Sequence, residues 1–505
     1  MSVVVLDFGS QYTQLIVRRL RELRAFSVLL PGTTSIERIR AAEPEAIVLS
    51  GSPHSLTGEG APRPDPGVYT LGLPVLGLCY GFHLLVDHFG GRLSPTTTHE
   101  YGRASLHAEP DSALFRDVES STDVWMSHAD SVVALPAGWT VAATTEENAF
   151  AAAKSADGLF VGLQFHPEVS HTPSGLEILE QFLDLAGVER DWTSAEVLQS
   201  LASRVKAQVG SGRVLLGLSG GVDSSALALL LAQAGIDHLA VFVDHGLLRA
   251  GEREEVENAL ARLGVHLHTE VAADRFFERL RGVCDPEEKR LAIGAEFVKT
   301  FERVAEAQGP FQFLAQGTLY PDVIESAGGE HAANIKSHHN VGGLPEHLGF
   351  ELVEPFRLLF KDEVRALAQL LALPDVIRLR HPFPGPGLAI RVLGEASPEQ
   401  IDLARQADAI FIKELKRSGW YERVWQALAV LIPVRSVGVA GDERRYGTVV
   451  ALRAVTSVDG MTADWARLPS DLLDRISARI TREVPQIGRV VYDTTSKPPA
   501  TIEWE

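Results

Sequence analysis

Ser219-Gly220-Gly221-Val222-Asp223-Ser224-Ser225 is the stretch that decides the fold. An apolar run, Val214-Leu215-Leu216-Gly217-Leu218, leads into it and reads as a buried strand. Ala226-Leu227-Ala228-Leu229-Leu230-Leu231 leaves it as a helix that stops at Gly235. A strand, a small-residue turn and a helix N-terminus let successive backbone N–H groups converge on one point, where the helix dipole adds partial positive charge. The serine hydroxyls add donors, so the turn is a phosphate cradle. It contains no lysine and is therefore not the GxxxxGK[ST] loop.

The turn resembles the SGGxDS PP-loop of the ATP pyrophosphatase family, whose members split ATP between the α and β phosphates and transfer AMP to a substrate oxygen. The resemblance implies that Ser219, Gly220, Gly221, Val222, Asp223, Ser224 and Ser225 surround the ATP phosphates. It also implies that Asp223 helps to place Mg²⁺, with no organic cofactor. The next apolar run, Leu239-Ala240-Val241-Phe242-Val243-Asp244, reads as a second strand of a doubly wound nucleotide-binding sheet. In the family adenine lies against such a strand, here near Val243.

A chain of 505 residues is expected to hold about three domains. Composition shifts and linker-like stretches place them at residues 1–190, 191–380 and 381–505. Hydrophobic residues make up 45% and charged residues 22%, enough for substantial cores. The net charge of −19 argues against general nucleic-acid binding, which needs a basic face, but not against small anionic substrates. Two cysteines, Cys79 and Cys284, make no disulfide framework and fit a reducing cytoplasm. The start, Met1-Ser2-Val3-Val4-Val5-Leu6-Asp7, lacks a signal-peptide pattern, and no apolar run approaches a membrane span.

In the first region Val3–Leu6 and Ala46–Leu49 read as strands and Gln11–Leu23 as a helix, which indicates an α/β domain with a mainly parallel sheet. Three segments fall where such sheets bind ligands, at the carboxyl ends of strands. Pro74-Val75-Leu76-Gly77-Leu78-Cys79-Tyr80-Gly81-Phe82-His83 reads as strand, nucleophile, then a helix from about Phe82. A sharp turn there exposes a side chain at a helix N-terminus, which favours thiolate over thiol. Gly162-Leu163-Gln164-Phe165-His166-Pro167-Glu168 offers His166 as base and Glu168 to orient it. Leu49-Ser50-Gly51-Ser52-Pro53 is a turn whose N–H groups can hold an oxyanion. Singly, a buried cysteine or a histidine before proline is usually packing.

Together the three segments resemble the class I glutamine amidotransferases over nearly the whole region. The resemblance implies that Cys79 attacks the side-chain amide of glutamine, that His166 and Glu168 complete the catalytic set, and that Gly51 and Tyr80 donate N–H bonds to the oxyanion. Trp125-Met126-Ser127-His128-Ala129-Asp130 resembles the family's glutamine-facing loop. By the same resemblance His83, His128, Asp130 and Gln164 meet glutamine. The chain departs from the family pattern at His83, where Gln is usual, and at Ser52 and Ala129, where Gly is usual.

Thr193-Ser194-Ala195-Glu196 is a capping box opening a helix to about Gln208. Beyond the PP-loop, Asp285-Pro286-Glu287-Glu288-Lys289-Arg290, Ile335-Lys336-Ser337-His338-His339-Asn340 and Phe360-Lys361-Asp362-Glu363-Val364-Arg365 read, taken singly, as charged helix faces and a solvated histidine pair. His381-Pro382-Phe383-Pro384-Gly385-Pro386-Gly387 is too rich in Pro and Gly for a regular element and marks a boundary or rigid loop. Pro398 opens a helix to about Lys416, and Val449–Val455 and Arg489–Asp493 read as strands of a small α/β domain. The tail Thr495–Glu505, with paired prolines, an aromatic ring and charges, reads as docked rather than frayed.

These segments and the tail resemble the GMP synthetase family, which aminates XMP to GMP with ATP and glutamine. The resemblance implies that Lys361 contacts departing pyrophosphate, that Arg290, Lys497, Ile502 and Glu503 bind XMP, and that the last domain forms a homodimer. The roles of Lys336, His338 and His339 stay open. A glutamine-dependent NAD synthetase is disfavoured because its glutaminase part resembles nitrilases rather than a Cys/His/Glu elbow. tRNA-thiolating PP-loop enzymes are disfavoured by the acidity and the lack of paired cysteines near the loop. A nucleotide-binding regulator with a dead glutaminase is disfavoured by the complete Cys79, His166 and Glu168 set. No nucleic-acid or membrane partner is expected.

Overall fold

The computed structural model describes residues 2–58, 60–110, 112–320, 323, 350–440, 443–457 and 462–505. They divide into two compact units, 1–196 and 197–505. Among the described residues no helix is long and apolar enough to cross a membrane. Lys336, His338 and His339 lie outside the described residues.

The first unit runs β1 (Ser2–Asp7), α1 (Thr13–Glu22), β2 (Ser27–Pro31), α2 (Ile36–Ala41), β3 (Pro44–Leu49), β4 (Val75–Leu78), α3 (Tyr80–His88), β5 (Arg92–Ala108), β6 (Ser121–Ala134), β7 (Thr140–Thr144), β8 (Ala152–Lys154), β9 (Phe160–Leu163) and α4 (Gly175–Ala186). The sheet order is β2-β1-β3-β4-β9-β8-β7-β5-β6. The half from β2 to β9 is parallel and the rest antiparallel. Helices cover parallel strands on both faces, which is why β1, β3 and β4 read as unbroken apolar runs. Leu49, Leu78 and Leu163 are the carboxyl ends of three adjacent parallel strands; Cys79 and Gln164 follow two of them directly and Gly51 follows the third after Ser50.

Two readings shift. Helix α3 starts at Tyr80, immediately after Cys79, rather than near Phe82. The segment Trp125–Asp130 is not a loop but part of strand β6, paired antiparallel with β5. Its alternation explains the pairing: Val124, Met126, His128, Asp130 and Val132 are all buried, so polar His128 and Asp130 sit on the inward face of a strand.

α5 (Ser194–Val209) leads from the first unit into the second; only half of the expected capping box forms, with Glu196 N–H donating to the Thr193 hydroxyl at 3.4 Å while Thr193 N–H donates to Asp191 O at 2.7 Å. Then come β10 (Val214–Leu218), α6 (Val222–Gln233), β11 (His238–Asp244), α7 (Glu252–Ala261), β12 (Leu267–Val271), α8 (Ala273–Leu280), α9 (Pro286–Gln308), β13 (Phe313–Ala315) and β14 (Glu351–Val353). All five strands are parallel in the order β12-β11-β10-β13-β14. The order reverses at β10, so the turn after β10 lies at the switch point where such sheets bind ligands.

The chain goes on with α10 (Lys361–Leu370), α11 (Asp375–Arg378), α12 (Pro398–Arg417), β15 (Gln426–Ala440), β16 (Glu443–Thr456), β17 (Asp464–Trp465), α13 (Ser470–Glu483) and β18 (Ile487–Tyr492). β15 and β16 form a long hairpin, and β18 joins β16 in parallel. The Pro/Gly-rich segment from His381 is packed in place. The His381 ring stacks on Tyr421 at 3.8 Å, and the Leu388 N–H donates to Leu247 O at 2.9 Å. One apolar cluster runs from Leu215 and Val241 through Leu388 and Phe411 to Ile487, so the nucleotide sheet and the last 120 or so residues share a core.

Candidate active site

Cys79 stands between β4 and α3 with φ +52° and ψ −102°, a backbone conformation that a side chain rarely adopts. The turn can be this tight because Gly81 presses on β3; a Cβ there would come within 2.2 Å of Leu49 O. The result points the Cys79 thiol toward β6, where it donates to Ser127 O at 3.4 Å. The N–H groups of Gly51 and Tyr80 have no hydrogen-bond partner among the described residues, as an oxyanion site requires.

His166 Nδ1 lies 2.7 Å from Glu168 Oε1, and both side chains are buried. Burial opposes charge on the imidazole. The Glu168 carboxylate and the hydrogen bond with Cys79 outweigh it and hold the pKa well above the ordinary 6.5. The surroundings thus favour the proton on His166.

The supports of this pair were invisible in the sequence. The Tyr12 ring packs edge-on against His166 at 5.0 Å, the Thr172 hydroxyl donates to His166 O at 2.7 Å, and Arg19 Nε donates to Glu168 O at 3.1 Å. No spacing signal links residue 19 to residue 168; the fold alone does.

The four residues expected to meet glutamine fall into two groups. His83 Nε2 lies 2.8 Å from Gln164 Oε1, and Gln164 Nε2 is buried without a partner. Burial pushes the His83 pKa down to about 4, so this imidazole is neutral at neutral pH. His128 and Asp130 are held by their neighbours. Asp130 Oδ2 accepts from the Ser55 hydroxyl at 2.6 Å and from Leu56 N–H at 3.2 Å, while His128 pairs with Glu100 at 3.0 Å. The His128 ring still stands edge-on to His83, 6.5 Å away. Ser52 bonds locally to His54 at 3.1 Å, and the Ala129 side chain is outside the described residues.

In the second unit Gly220 takes φ +76°, and Gly221 is the N-cap of α6. The Ser219 and Ser224 hydroxyls lie 3.1 Å apart and close the loop on itself, while the Ser225 hydroxyl is buried without a partner. Asp223 Oδ2 pairs with Lys361 Nζ, and Asp223 Oδ1 is buried and unpartnered. Lys361, at the first position of α10, is thereby aimed at the cradle. Val243 is buried near the carboxyl end of β11, the strand beside β10. Arg380, absent from the sequence reading, donates to Gly220 O at 3.3 Å.

Arg290, on the first turns of α9, pairs with Glu287. The tail is docked, as expected. Both Glu503 oxygens meet the fully buried Arg391, at 2.8 and 3.1 Å, and Gln426 adds a bond at 2.5 Å. Ile502 is buried against Val455, and Lys497 pairs through its backbone with Ala463. Glu505 bonds to buried Lys289, next to Arg290 in sequence, so the tail and the start of α9 meet. The Glu503 carboxylate therefore serves Arg391 in this structure.

A thiol elbow with an imidazole–carboxylate pair in one unit and a lysine-free phosphate cradle in the other define a class I glutamine amidotransferase joined to a PP-loop enzyme. Family models agree: glutamine amidotransferase class-I matches residues 4–186, PP-loop domain 194–281 and GMP synthase C terminal domain 413–504. A glutamine-hydrolysing GMP synthase from Thermus thermophilus is 65% identical over 100% of both chains. Relatives of the same name from Carboxydothermus hydrogenoformans and Aquifex aeolicus are 53% and 51% identical, over 100% of this chain and 99% of theirs. The chain belongs to the glutamine-hydrolysing GMP synthase family. It is a ligase that couples glutamine hydrolysis to the ATP-dependent amination of XMP.

Proposed function

We propose that Cys79, His166 and Glu168 release ammonia from glutamine and that Ser219–Ser225 with Lys361 drive its incorporation into XMP. The Cys79 sulfur attacks the glutamine amide carbon. Gly51 and Tyr80 N–H groups receive the oxyanion, and His166 gives its proton to departing ammonia. Water then releases glutamate from the thioester. In the second unit the XMP C2 oxygen attacks the α-phosphorus, pyrophosphate leaves, and ammonia displaces AMP at C2 to yield GMP. The observation that carries this reading is the strained Cys79 turn together with the buried His166–Glu168 pair, whose Nδ1 and Oε1 lie 2.7 Å apart.

Among the described residues no three His, Cys, Asp or Glu side chains gather as a metal cluster. Mg²⁺ does not need one, because it binds one or two carboxylates together with substrate phosphates. The unpartnered Asp223 Oδ1 beside the cradle fits that role. Asp223 would hold the ion, which when bound neutralises charge developing on pyrophosphate.

Arg290 and Lys497 supply cations for the XMP phosphate near the docked tail, with Ile502 packed behind it; Glu503 acts there by fixing Arg391. The hairpin of β15 and β16 leaves Val434, Val437, Val439 and Tyr446 exposed, with Val439 at 77%. A second copy of the chain covers this face in a homodimer. Sedimentation as a monomer at micromolar concentration would remove that part. The two free cysteines fit a cytoplasmic enzyme.

The test is Cys79→Ala. Glutamine-dependent GMP formation should fall at least about a thousandfold, while synthesis from ammonium salts persists. Loss of both activities in a folded protein would overturn the two-site scheme.

A further inference from the structure

Gly220 and the C-terminal tail are joined by a run of hydrogen bonds and ion pairs. Arg380 Nη1 donates to Gly220 O at 3.3 Å and pairs with Glu252 at 3.0 Å, while its Nη2 meets Glu255 at 3.1 Å. Glu252 also accepts from the Arg249 backbone N–H at 3.0 Å. The Arg249 side chain pairs with Asp408 at 3.1 Å, and Asp408 faces Arg391 at 3.6 Å. Arg391 ends the run on Glu503 at 2.8 Å. The middle of the run is dry: Glu252, Asp408 and Arg391 are 4%, 2% and 0% exposed.

The first contact acts on the geometry of the cradle. A trans peptide sets its C=O and the next N–H in opposite directions. Holding the Gly220 carbonyl therefore holds the Gly221 N–H toward the inside of the loop, where Ser219 Oγ lies 3.4 Å away. The positive φ of Gly220 turns that carbonyl out to Arg380, and a Cβ at this position would come within 2.9 Å of Val256.

We propose that Arg380 is a positioning residue for the phosphate loop, and that the ion pairs behind it make its aim depend on a seated C-terminal tail. Glu252 and Asp408, the two carboxylates inside the run, are each shared between two arginines, Glu252 through the Arg380 side chain and the Arg249 backbone N–H and Asp408 through two side chains. Losing one member leaves its neighbours as buried charges that must find new partners. Unseating Glu503 thus frees Arg391 to draw on Asp408, and the shift passes through Arg249 and Glu252 to Arg380. The inference rests on Ser219–Ser225 being the ATP phosphate site.

The experiment measures ammonium-dependent synthesis with the full chain carrying Arg380→Gln, Asp408→Asn, both together, or Ser219→Ala as a reference. Arg380→Gln should raise KM for ATP about tenfold and leave KM for ammonium unchanged. Asp408→Asn touches neither the loop nor the tail and should raise KM for ATP about threefold. The double variant should be no worse than Arg380→Gln alone, because coupled sites are not additive. Arg380→Lys, which keeps the charge but not the fork, should recover only part of the loss. The inference fails if Asp408→Asn lowers the melting temperature without moving KM for ATP, or if the two effects multiply. Should Asp408→Asn not fold, Arg249→Lys interrupts the same link and is read the same way. If Ser219→Ala leaves KM for ATP unchanged, the loop assignment itself fails; if only Arg380→Gln is silent, the relay alone fails.

Discussion

The Cys79 elbow and the PP-loop are built on one plan, a parallel strand turned sharply into a helix, yet they place backbone strain differently. In the elbow the positive φ falls on Cys79 itself, at +52°. In the PP-loop it falls on Gly220, at +76°. A site that must present a side chain makes the reactive residue carry the strain, at a cost of about 1–3 kcal/mol. A site that must present backbone N–H groups gives the same conformation to glycine, which has no Cβ to clash. The electrostatics differ in the same sense. His166 and Glu168 form a closed, buried pair suited to a neutral amide. Lys361 and Asp223 form a partly exposed pair that a large anion and its cation can enter.

The sharpest way to break this comparison is Glu168→Gln. Removing the carboxylate leaves burial as the main influence on His166, so its pKa should fall and glutamine hydrolysis drop about a hundredfold. The alkaline limb that reports protonated His166 should move to lower pH. The sign for stability is the same. The raised pKa contributes stability below pH 6.5 that is lost as pH rises through the folded value, so the variant should lose stability mostly on the acid-to-neutral side. An unmoved limb would mean that Glu168 does not hold the proton on His166. Next, Gly220→Ala puts a Cβ into the left-handed region against Val256, and about 1–2 kcal/mol of misfit should raise KM for ATP about tenfold. Normal ATP kinetics would show that the loop does not need this conformation. The smallest effect compares two inactive proteins. Cys79→Gly should be more stable to denaturant than Cys79→Ala by about 1 kcal/mol, because only alanine keeps the strained Cβ. Equal stabilities would mean that the elbow is not strained.

Much of the fold was legible because its signals are local. Unbroken apolar runs ended at Leu49, Leu78 and Leu218, each followed by small or reactive residues. The helix after Thr193 and the helix opened by Pro398 also form where local chemistry puts them. The β6 segment does not read as a strand because its inward positions carry His128 and Asp130. Polar residues hide strand alternation unless their partners, here Glu100 and Ser55, are known. The partner of Glu503 is hidden from the sequence for a similar reason. Nothing near a carboxylate in the tail signals the buried arginine at residue 391 that lies beside it.

By itself the order of residues determined the two chemistries. A thiol, an imidazole and a carboxylate after strand ends, and a lysine-free Gly/Ser turn before a helix, are properties of neighbouring residues and survive any packing of the rest. Tertiary structure alone decided how those groups are held. Arg19 and Tyr12 at the triad, Arg380 on the phosphate loop and Arg391 under the tail act across separations of more than a hundred residues. Such partners are chosen by which charges and rings burial brings together, and no spacing along the chain records that choice.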